Sequence, residues 1–291
     1  MERKKIIVTG ANGQLGKELQ SLAPALSSFD FIFLSKEDLP IQDREQTLLF
    51  FEKAQPAYCI NCAAYTAVDK AETEKDLAFA VNGEAVGLLA FACKTVGARL
   101  IHISTDYVFD GDSAIPLKEK DPTGPINIYG ASKLKGEQLA FRYNDDTVVI
   151  RTSWVYSEFG NNFVKTMIRL MREKESIRVI NDQIGSPTYA ADLADAILRI
   201  VSGAKFVPGI FHYSNEGQIS WYDFALAIKE LIHSPCSVDP IPTSQYPTPA
   251  RRPHYSLLDK SLIKATYGIT IPEWKKRLTV CIDRLGAAAS S

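Results

Sequence analysis

The chain has 291 residues, which is enough for one large α/β domain or two smaller ones with hydrophobic cores. Its formal net charge of -1 and its 23% of charged residues give no basic field that would attract nucleic acid or an anionic membrane. No segment is expected to approach the ~20 apolar residues of a membrane span, and no signal peptide follows the basic N-terminus. We therefore expect a cytoplasmic protein with no nucleic-acid or membrane partner.

The first half of the chain alternates predicted strands and helices. The predicted strands are 5–9, 29–34, 57–63, 99–104 and 147–152, and the predicted helices are 16–26, 44–54, 74–97 and 132–143. Strands separated by such helices require right-handed crossovers, so we predict a Rossmann α/β fold with a doubly wound parallel sheet. Residues 1–154 are predicted as the NAD(P)-binding domain, and residues 155–291 as a smaller, mainly substrate-binding lobe interleaved with it.

A glycine-rich turn joins the first predicted strand to the first helix. Gly10, Gly13 and Gly16 are spaced G-x-x-G-x-x-G, which permits a tight turn, close approach to a pyrophosphate and close packing of helix on strand. The helix that follows offers free N–H groups to phosphate. Because the pattern lies directly between a strand and an amphipathic helix, it indicates a dinucleotide site.

The end of the second predicted strand bears on the choice of cofactor. NAD-binding folds usually place an acid there, whereas this strand ends in Ser35 and Lys36, with Asp38 and Leu39 shortly after. A hydroxyl and an ammonium suit a 2′-phosphate better than a carboxylate does, so NADPH is favoured, while NADH and a merely solvated lysine both remain open. These four residues are the predicted contacts to the adenosine end.

Polar residues crowd the end of the fourth predicted strand. Ser104, Thr105, Asp106 and Tyr107 follow an apolar run directly. Ligands of open α/β sheets bind outside the carboxyl ends of the strands, so we predict that this group faces the cleft.

A tyrosine and a lysine, Tyr129 and Lys133, stand four residues apart at the start of a predicted helix. This spacing places both side chains on one helical face. An ammonium beside a phenol stabilises the phenolate and moves the pKa of the phenol toward the working range of an acid catalyst. The pattern is common by chance, and its position downstream of the nucleotide turn is what favours a catalytic pair.

With these features in place, the chain resembles the extended short-chain dehydrogenase/reductase superfamily and, within it, the dTDP-4-dehydrorhamnose reductases. The segments that carry the resemblance are 9–16, 61–72, 104–111, 129–133, 151–156, 160–163, 181–188 and 252–253. The glycine turn and the Tyr–Lys pair are shared by the superfamily. The run around Asp69, Trp154 and the segment 183–187 are more specific to the sugar reductases.

The resemblance implies reduction, by NAD(P)H, of the C4 ketone of dTDP-4-dehydro-6-deoxy-L-mannose to dTDP-L-rhamnose, the last step in making this activated sugar of cell-surface polysaccharides. It implies that Tyr129 protonates the alkoxide, that Lys133 binds the nicotinamide ribose and lowers the pKa of Tyr129, and that Thr105 holds the ketone oxygen. The other implied contacts are Asn12, Gly13, Gln14, Leu15, Ala63, Ala64 and Tyr65 to the cofactor, and Asp106, Tyr107, Trp154, Asn162 and Arg252 to the substrate.

Structural roles compete with several of these assignments. Trp154 is also compatible with core packing at the domain seam, Asp69 with a solvated helix start, and Arg252 with surface charge. His102 and His212 lie on apolar strands and are expected to be packed or hydrogen-bonded core residues. Cys59 and Cys62, three apart on a predicted strand, point to opposite faces and are expected to pack in the core rather than bind metal.

A metal ion and a dimer are left open. Some members of the resembled family are described with Mg²⁺ at an acidic cluster near a dimer contact. Glu18 is compatible with part of such a site, but the segment 189–192 supplies only one acid, so Mg²⁺ stays uncertain and we assign no ligands. A homodimer remains open for the same reason.

Two alternative functions use the same scaffold. A nucleotide-sugar epimerase or dehydratase needs further acid–base groups, and the Asp106-Tyr107 that follows Thr105 lacks the Asp-Glu pair of the dehydratases. A catalytically silent regulatory subunit of the methionine adenosyltransferase type has the same fold. The intact set of Thr105, Tyr129 and Lys133 favours an active reductase over both.

Overall fold

The computed structural model describes residues 3–289, and within this range six parallel strands form the central sheet. In chain order, the strands inside and outside this sheet are β1 (Lys4–Thr9), β2 (Phe29–Leu34), β3 (Tyr58–Asn61), β4 (Arg99–Thr105), β5 (Thr147–Thr152), β6 (Val155–Tyr156), β7 (Ser176–Ile180), β8 (Ile184–Gly185), β9 (Thr188–Tyr189), β10 (Gly209–Tyr213), β11 (Ile219–Ser220) and β12 (Ser237–Ile241). The sheet has the order β2-β1-β3-β4-β5-β10, with every pair parallel. The predicted Rossmann fold class is confirmed.

Helices cover both faces of this sheet and also build much of a separate C-terminal lobe. They are α1 (Gln14–Leu22), α2 (Arg44–Ala54), α3 (Val68–Ala71), α4 (Lys75–Phe79), α5 (Ala85–Thr95), α6 (Ile128–Tyr143), α7 (Phe163–Glu173), α8 (Ala190–Ser202), α9 (Trp221–Leu231), α10 (Ser261–Tyr267) and α11 (Trp274–Ala289). A π-helical segment, Ala80–Glu84, joins α4 to α5, and Asp106–Val108 forms a short 3₁₀ helix after β4.

A capping side chain fixes the start of four of the long helices, whereas α1, α5 and α8 have none. Asp43, Asn127, Asn162 and Ser220 each accept a backbone N–H in the first turn of α2, α6, α7 and α9. The residue at the same position of α1 is Gly13, which has no side chain to cap with. The first-turn N–H groups of α1 are therefore left free of a capping side chain.

The stretch Lys75–Thr95 is 21 residues long and apolar enough, by length and composition, to cross a membrane. The expectation that no segment approaches this length is therefore wrong. In the fold, a little over half of its most apolar window is buried, and α5 contributes Val86, Leu89 and Cys93 to the core beside β3 and β4. Packing of a core helix against the sheet accounts for its apolar character.

The C-terminal half of the chain contributes both to the sheet and to a separate lobe. β10 pairs with β5, and Leu193 and Ile197 of α8 belong to the same core cluster as Ile6 and Val8 of β1. A second apolar cluster is built from α7, α9, α11 and the β7–β12 pair, and Tyr156 and Phe224 lie within it. Elements of the C-terminal half are thus anchored on the central sheet.

A buried ion pair ties α6 to β5. The Arg151 guanidinium donates to both oxygens of the Glu137 carboxylate, with an Nη2–Oε2 distance of 2.7 Å, and both side chains are 3% exposed. The Ser104 hydroxyl of β4 donates to Glu137 Oε1 at 2.5 Å. Because these partners satisfy the carboxylate on several sides, α6 is held at a fixed height over the sheet.

We expect the Arg151→Met variant to lose about 3–5 kcal/mol of unfolding free energy, because it leaves Glu137 as an unpaired buried charge. Equilibrium denaturation by urea, followed by circular dichroism, measures this loss. The matched control is Arg169→Met, which breaks the exposed pair with Glu173 and is expected to cost no more than about 0.5 kcal/mol. Equal losses in the two variants would contradict this account.

Candidate active site

The cleft lies where the order in which strands are added to the sheet reverses. β2 is added on one side of β1 and β3 on the other, so the strand ends of β1 and β3 flank a topological switch point, where α/β proteins bind ligands. The cleft there has a volume of about 1070 Å³, above the ~300–1,000 Å³ of most small-molecule sites. It therefore has room for a dinucleotide and a second ligand.

The cleft brings together most of the residues predicted from sequence. Its lining includes Gly10, Asn12, Gly13, Gln14, Leu15, Gly16, Ser35, Lys36, Leu39, Ala63, Ala64, Tyr65, Thr105, Asp106, Tyr107, Tyr129, Lys133 and Trp154. Three predicted residues, Asp38, Asn162 and Arg252, are not part of this lining. The roles assigned to all these residues stay predictions, and the geometry below shows what each side chain contacts.

The glycine turn is as tight as its sequence predicts. Gly10 has a φ of +69°, and a Cβ there would lie 2.6 Å from the backbone nitrogen of Ala63. A Cβ on Gly16 would overlap the Gly10 carbonyl oxygen, so this glycine lets α1 pack directly on the turn. With no capping side chain and no acid in its first turn, α1 presents free N–H groups and a positive dipole end, which fits a pyrophosphate.

At the end of β2, the predicted contacts divide into two kinds. Asp38 accepts hydrogen bonds from the backbone nitrogen and the hydroxyl of Ser35, at 2.9 and 2.7 Å, and so holds the turn. Lys36 and Glu37 line the cleft beside it. Glu37 was not among the residues predicted from sequence; with Lys36 it places one carboxylate and one cation beside the expected position of a 2′-phosphate.

Tyr129 occupies the first turn of α6, whose start is fixed from three sides. The Asn127 side chain accepts from Gly130 N and donates to Arg251 O, and Glu72 accepts from Ile128 N. The Tyr107 ring lies edge-on to the Tyr129 ring, with centroids 5.7 Å apart. The phenol is therefore held on a rigid support.

Burial raises the pKa of Tyr129 to about 12, opposed in part by a hydrogen bond with Thr105. The predicted lowering of this pKa by Lys133 stays a prediction. The Lys133 amine donates to the Ile103 carbonyl at 2.5 Å and lies 3.4 Å from His102 Nε2. Burial lowers the pKa of Lys133 to about 8, opposed by the negative charge of Glu137.

Thr105 and Asp106 form a hydrogen-bonded pair at the end of β4. The Thr105 hydroxyl donates to Asp106 Oδ1 at 3.0 Å and accepts from Tyr107 N at 3.2 Å, which fixes its oxygen beside Tyr129. Asp106 is buried, and its Oδ2 makes no well-formed hydrogen bond to residues 3–289. Burial raises the pKa of Asp106 to about 6, opposed by the hydroxyls of Ser256 and Thr105.

Trp154 forms one wall of the cleft in a strained conformation. Its φ is +49°, and its ring stacks on Trp221 with centroids 3.7 Å apart. A Cβ at Gly185 would lie 2.9 Å from the Trp154 ring, so the glycine makes room for the indole. Trp221 also lines the cleft and was missed from sequence, where it is only an aromatic residue at a helix start.

Asn162 and Arg252 are occupied by other side chains. Asn162 caps α7 and donates to Gln14 Oε1 at 2.9 Å. The Arg252 guanidinium binds both oxygens of Asp69 at 2.8 Å, so Asp69 is an ion-pair partner and not merely a solvated helix start. Both residues fix loops at the edge of the cleft.

Glu18 lies in a polar cluster outside the catalytic part of the cleft. It accepts from the Ser157 hydroxyl at 2.7 Å, and burial raises its pKa to about 7. Neighbouring Glu158 is paired with Arg284 and Tyr189. Among the described residues no group of three or more His, Cys, Asp or Glu side chains is arranged to hold a metal ion.

The raised pKa of Asp106 gives a signed prediction for stability. Its folded pKa of about 6 exceeds the 3.8 of an unperturbed carboxyl, so its stabilising contribution is present at low pH and lost as the pH rises through 6. Relative to the wild type, Asp106→Asn should therefore gain about 2–3 kcal/mol between about pH 4 and pH 8. Urea denaturation at several pH values measures the difference.

Asp182 provides the control for this measurement. Partial burial acts to raise the pKa of Asp182, but hydrogen bonds from Thr243 outweigh it and hold this pKa low. The difference between Asp182→Asn and wild type should thus have the opposite sign of pH dependence. If the difference in unfolding free energy between Asp106→Asn and wild type did not change with pH, the ionised, desolvated state that we assign to this carboxylate would be contradicted.

The chain matches the RmlD substrate binding domain family over residues 4–287. It is 42% identical to the dTDP-4-dehydrorhamnose reductase of Burkholderia thailandensis, over 97% of this chain and 99% of that protein. It is also 42% identical to the spore coat polysaccharide biosynthesis protein SpsK of Bacillus subtilis, over 98% of this chain and 99% of that protein. The structure of dTDP-4-dehydrorhamnose reductase from Bacillus anthracis in complex with NADP superposes with a TM-score of 0.93 at 41% identity, over 97% of this chain and 100% of that one. The chain therefore belongs to the RmlD substrate binding domain family.

Proposed function

We propose that this protein reduces the C4 ketone of dTDP-4-dehydro-6-deoxy-L-mannose with NADPH and releases dTDP-L-rhamnose. The observation that carries the proposal is the convergence of Thr105, Tyr129 and Lys133 at the carboxyl ends of the strands, in one cleft with the glycine turn. Its relatives of about 40% identity over nearly the whole chain bear the name of this reductase.

The cofactor assignment rests on the chemistry of the cleft and on a relative. The free first turn of α1 suits the pyrophosphate, and Ser35 and Lys36 suit a 2′-phosphate. The Bacillus anthracis relative was crystallised with NADP. When bound, the reduced nicotinamide supplies the hydride; binding it in position is the task of this chain's residues.

Tyr129 is proposed as the proton donor to the substrate oxygen. With a pKa of about 12 the phenol keeps its proton at neutral pH, and an alkoxide is a stronger base than the phenolate, so transfer to the developing alkoxide is downhill. Thr105, whose oxygen is fixed by the Tyr107 N–H, would turn its hydroxyl proton from Asp106 to the ketone oxygen and so hold that oxygen against Tyr129. Lys133, on the same helical face, contributes a positive charge and a proton that it can donate.

Substrate contacts are proposed along the other wall of the cleft. Asp106 and Tyr107 face the sugar, and the stacked Trp154 and Trp221 provide an apolar surface for it. Asn162 and Arg252 are weaker candidates for substrate contacts. To bind the diphosphate, Asn162 would have to release Gln14, and Arg252 would have to release Asp69.

Replacement of Tyr129 by Phe tests the proposed acid. We expect kcat/KM for NADPH oxidation with the dTDP-keto sugar to fall by about 10²–10⁴-fold, because a general acid contributes on this order. Loss of NADPH absorbance measures the rate. Tyr143→Phe, at the exposed end of the same helix, should retain full activity; a Tyr129→Phe enzyme as fast as wild type would overturn the assignment, and a wild type without activity would overturn the function.

Replacement of Lys36 by Ala tests the cofactor preference. Loss of an ion pair with the 2′-phosphate should raise KM for NADPH about tenfold, which corresponds to about 1.4 kcal/mol, and should leave KM for NADH nearly unchanged. Lys53→Ala, an exposed lysine on α2, is the control. Equal changes for both cofactors would remove Lys36 from the 2′-phosphate site.

A further inference from the structure

A row of buried polar side chains crosses three strands and ends at Lys133. Thr9 of β1 lies in register with Asn61 of β3, and Asn61 with His102 of β4. Thr9 Oγ1 lies 2.7 Å from Asn61 Oδ1, Asn61 Nδ2 lies 3.0 Å from His102 Nδ1, and Lys133 Nζ lies 3.4 Å from His102 Nε2. All four residues are buried, and nothing in the proposed reaction so far uses the middle two.

The orientation of the Asn61 amide is fixed by a backbone group. Ala63 N lies 3.1 Å from one terminal atom of Asn61, and because a backbone N–H can only donate, that atom is the oxygen. The nitrogen, Nδ2, consequently faces His102 and donates to Nδ1. If the amide were flipped, its NH₂ group would face the Ala63 N–H, which would then have no acceptor.

Asn61 thereby fixes the tautomer of His102. An Nδ1 atom that accepts from Asn61 carries no proton. Burial lowers the pKa of His102 well below its ordinary value, so the ring is neutral and its single proton lies on Nε2. This N–H faces Lys133.

An N–H facing an ammonium is unfavourable. The ammonium of Lys133 has three donors and no acceptor, whereas the neutral amine has a lone pair that accepts from His102 Nε2–H. The other groups around Lys133 act differently: Glu137 favours the ammonium but is shared with Arg151, and burial raises the pKa of the Cys62 thiol, which stays neutral.

We propose that Asn61 and His102 are positioning residues that present an N–H, and not a lone pair, to Lys133, and so make its ammonium a readier proton donor in the reaction. When the ammonium gives up a proton, one of its N–H bonds breaks and the lone pair that remains accepts from His102 Nε2–H. Water then returns a proton to the amine. The kinetic part of this proposal rests on the proposed reduction.

The tautomer is measurable in the wild-type protein without substrate. Two-dimensional ¹H–¹⁵N spectra of the imidazole rings should show His102 neutral and protonated on Nε2 from about pH 6 to pH 9. His212 is the internal control: it is buried too, but its Nδ1 faces the Leu117 carbonyl at 3.1 Å and must donate, so it should be the opposite tautomer. His102→Gln and His212→Gln assign the two signals. Protonation of His102 on Nδ1, or a charged ring, would overturn the proposal.

Asn61→Asp tests the consequence for Lys133. One carboxylate oxygen can still accept from Thr9 and Ala63, and the other now accepts from His102 Nδ1–H, which leaves Nε2 as an acceptor for the ammonium. We expect the tautomer signal of His102 to switch, and the basic limb of the kcat/KM profile to move upward by about one pH unit or more.

The added charge of the aspartate is separated from the tautomer effect by the double variant Asn61→Asp/His102→Phe, in which most of the upward shift should vanish. A switched tautomer with an unmoved basic limb would overturn the proposal, as would a shift that persists fully in the double variant. If the wild type showed no reductase activity, the proposed function would fail, whereas the spectra would still decide the tautomer.

Discussion

The level alignment of the strand ends is the constraint on which the site depends. Parallel pairing sets Thr9 beside Asn61, Asn61 beside His102, and Thr105 beside Thr152. Because successive strands end at one edge of the sheet, their last polar residues form a continuous row instead of isolated buried groups. A slip of one residue in any of these pairs would turn the row to the opposite face of the sheet.

α6 brings Tyr129 and Lys133 to this row and is held there by polar contacts at its start and its middle. Its start is fixed by Asn127 and Glu72, and its middle by the ion pair of Glu137 with Arg151. An ion pair of this kind adds little net stability over an apolar contact, since desolvation offsets much of the attraction. Its value here lies in geometry: the pair fixes the position of Tyr129 and Lys133 over the strand ends.

Burial shifts the pKa values of ionisable groups in the cleft in directions that suit the proposed acid catalysis. It raises the pKa of Tyr129, so the phenol holds its proton, and lowers that of Lys133, so the ammonium gives its proton up more readily. It also leaves Asp106 ionised at some cost to stability. Groups of this kind concentrate at functional sites because packing elsewhere in the domain compensates for them.

Much of the fold and part of the site follow from local sequence. The strand–helix alternation, the glycines of the turn and the spacing of Tyr129 and Lys133 are set by short-range sterics and by helix periodicity, so they can be predicted from neighbouring residues. The same reasoning places Thr105 and Asp106 at a strand end.

Only the tertiary structure decided what those side chains meet. It pairs Arg252 with Asp69, occupies Asn162 with Gln14, stacks Trp221 on Trp154, and places the Lys133 amine beside His102. These contacts join groups that are far apart in the chain, and the pKa shifts depend on the loss of water around those groups. A local pattern of residues predicts neither long-range contacts nor desolvation.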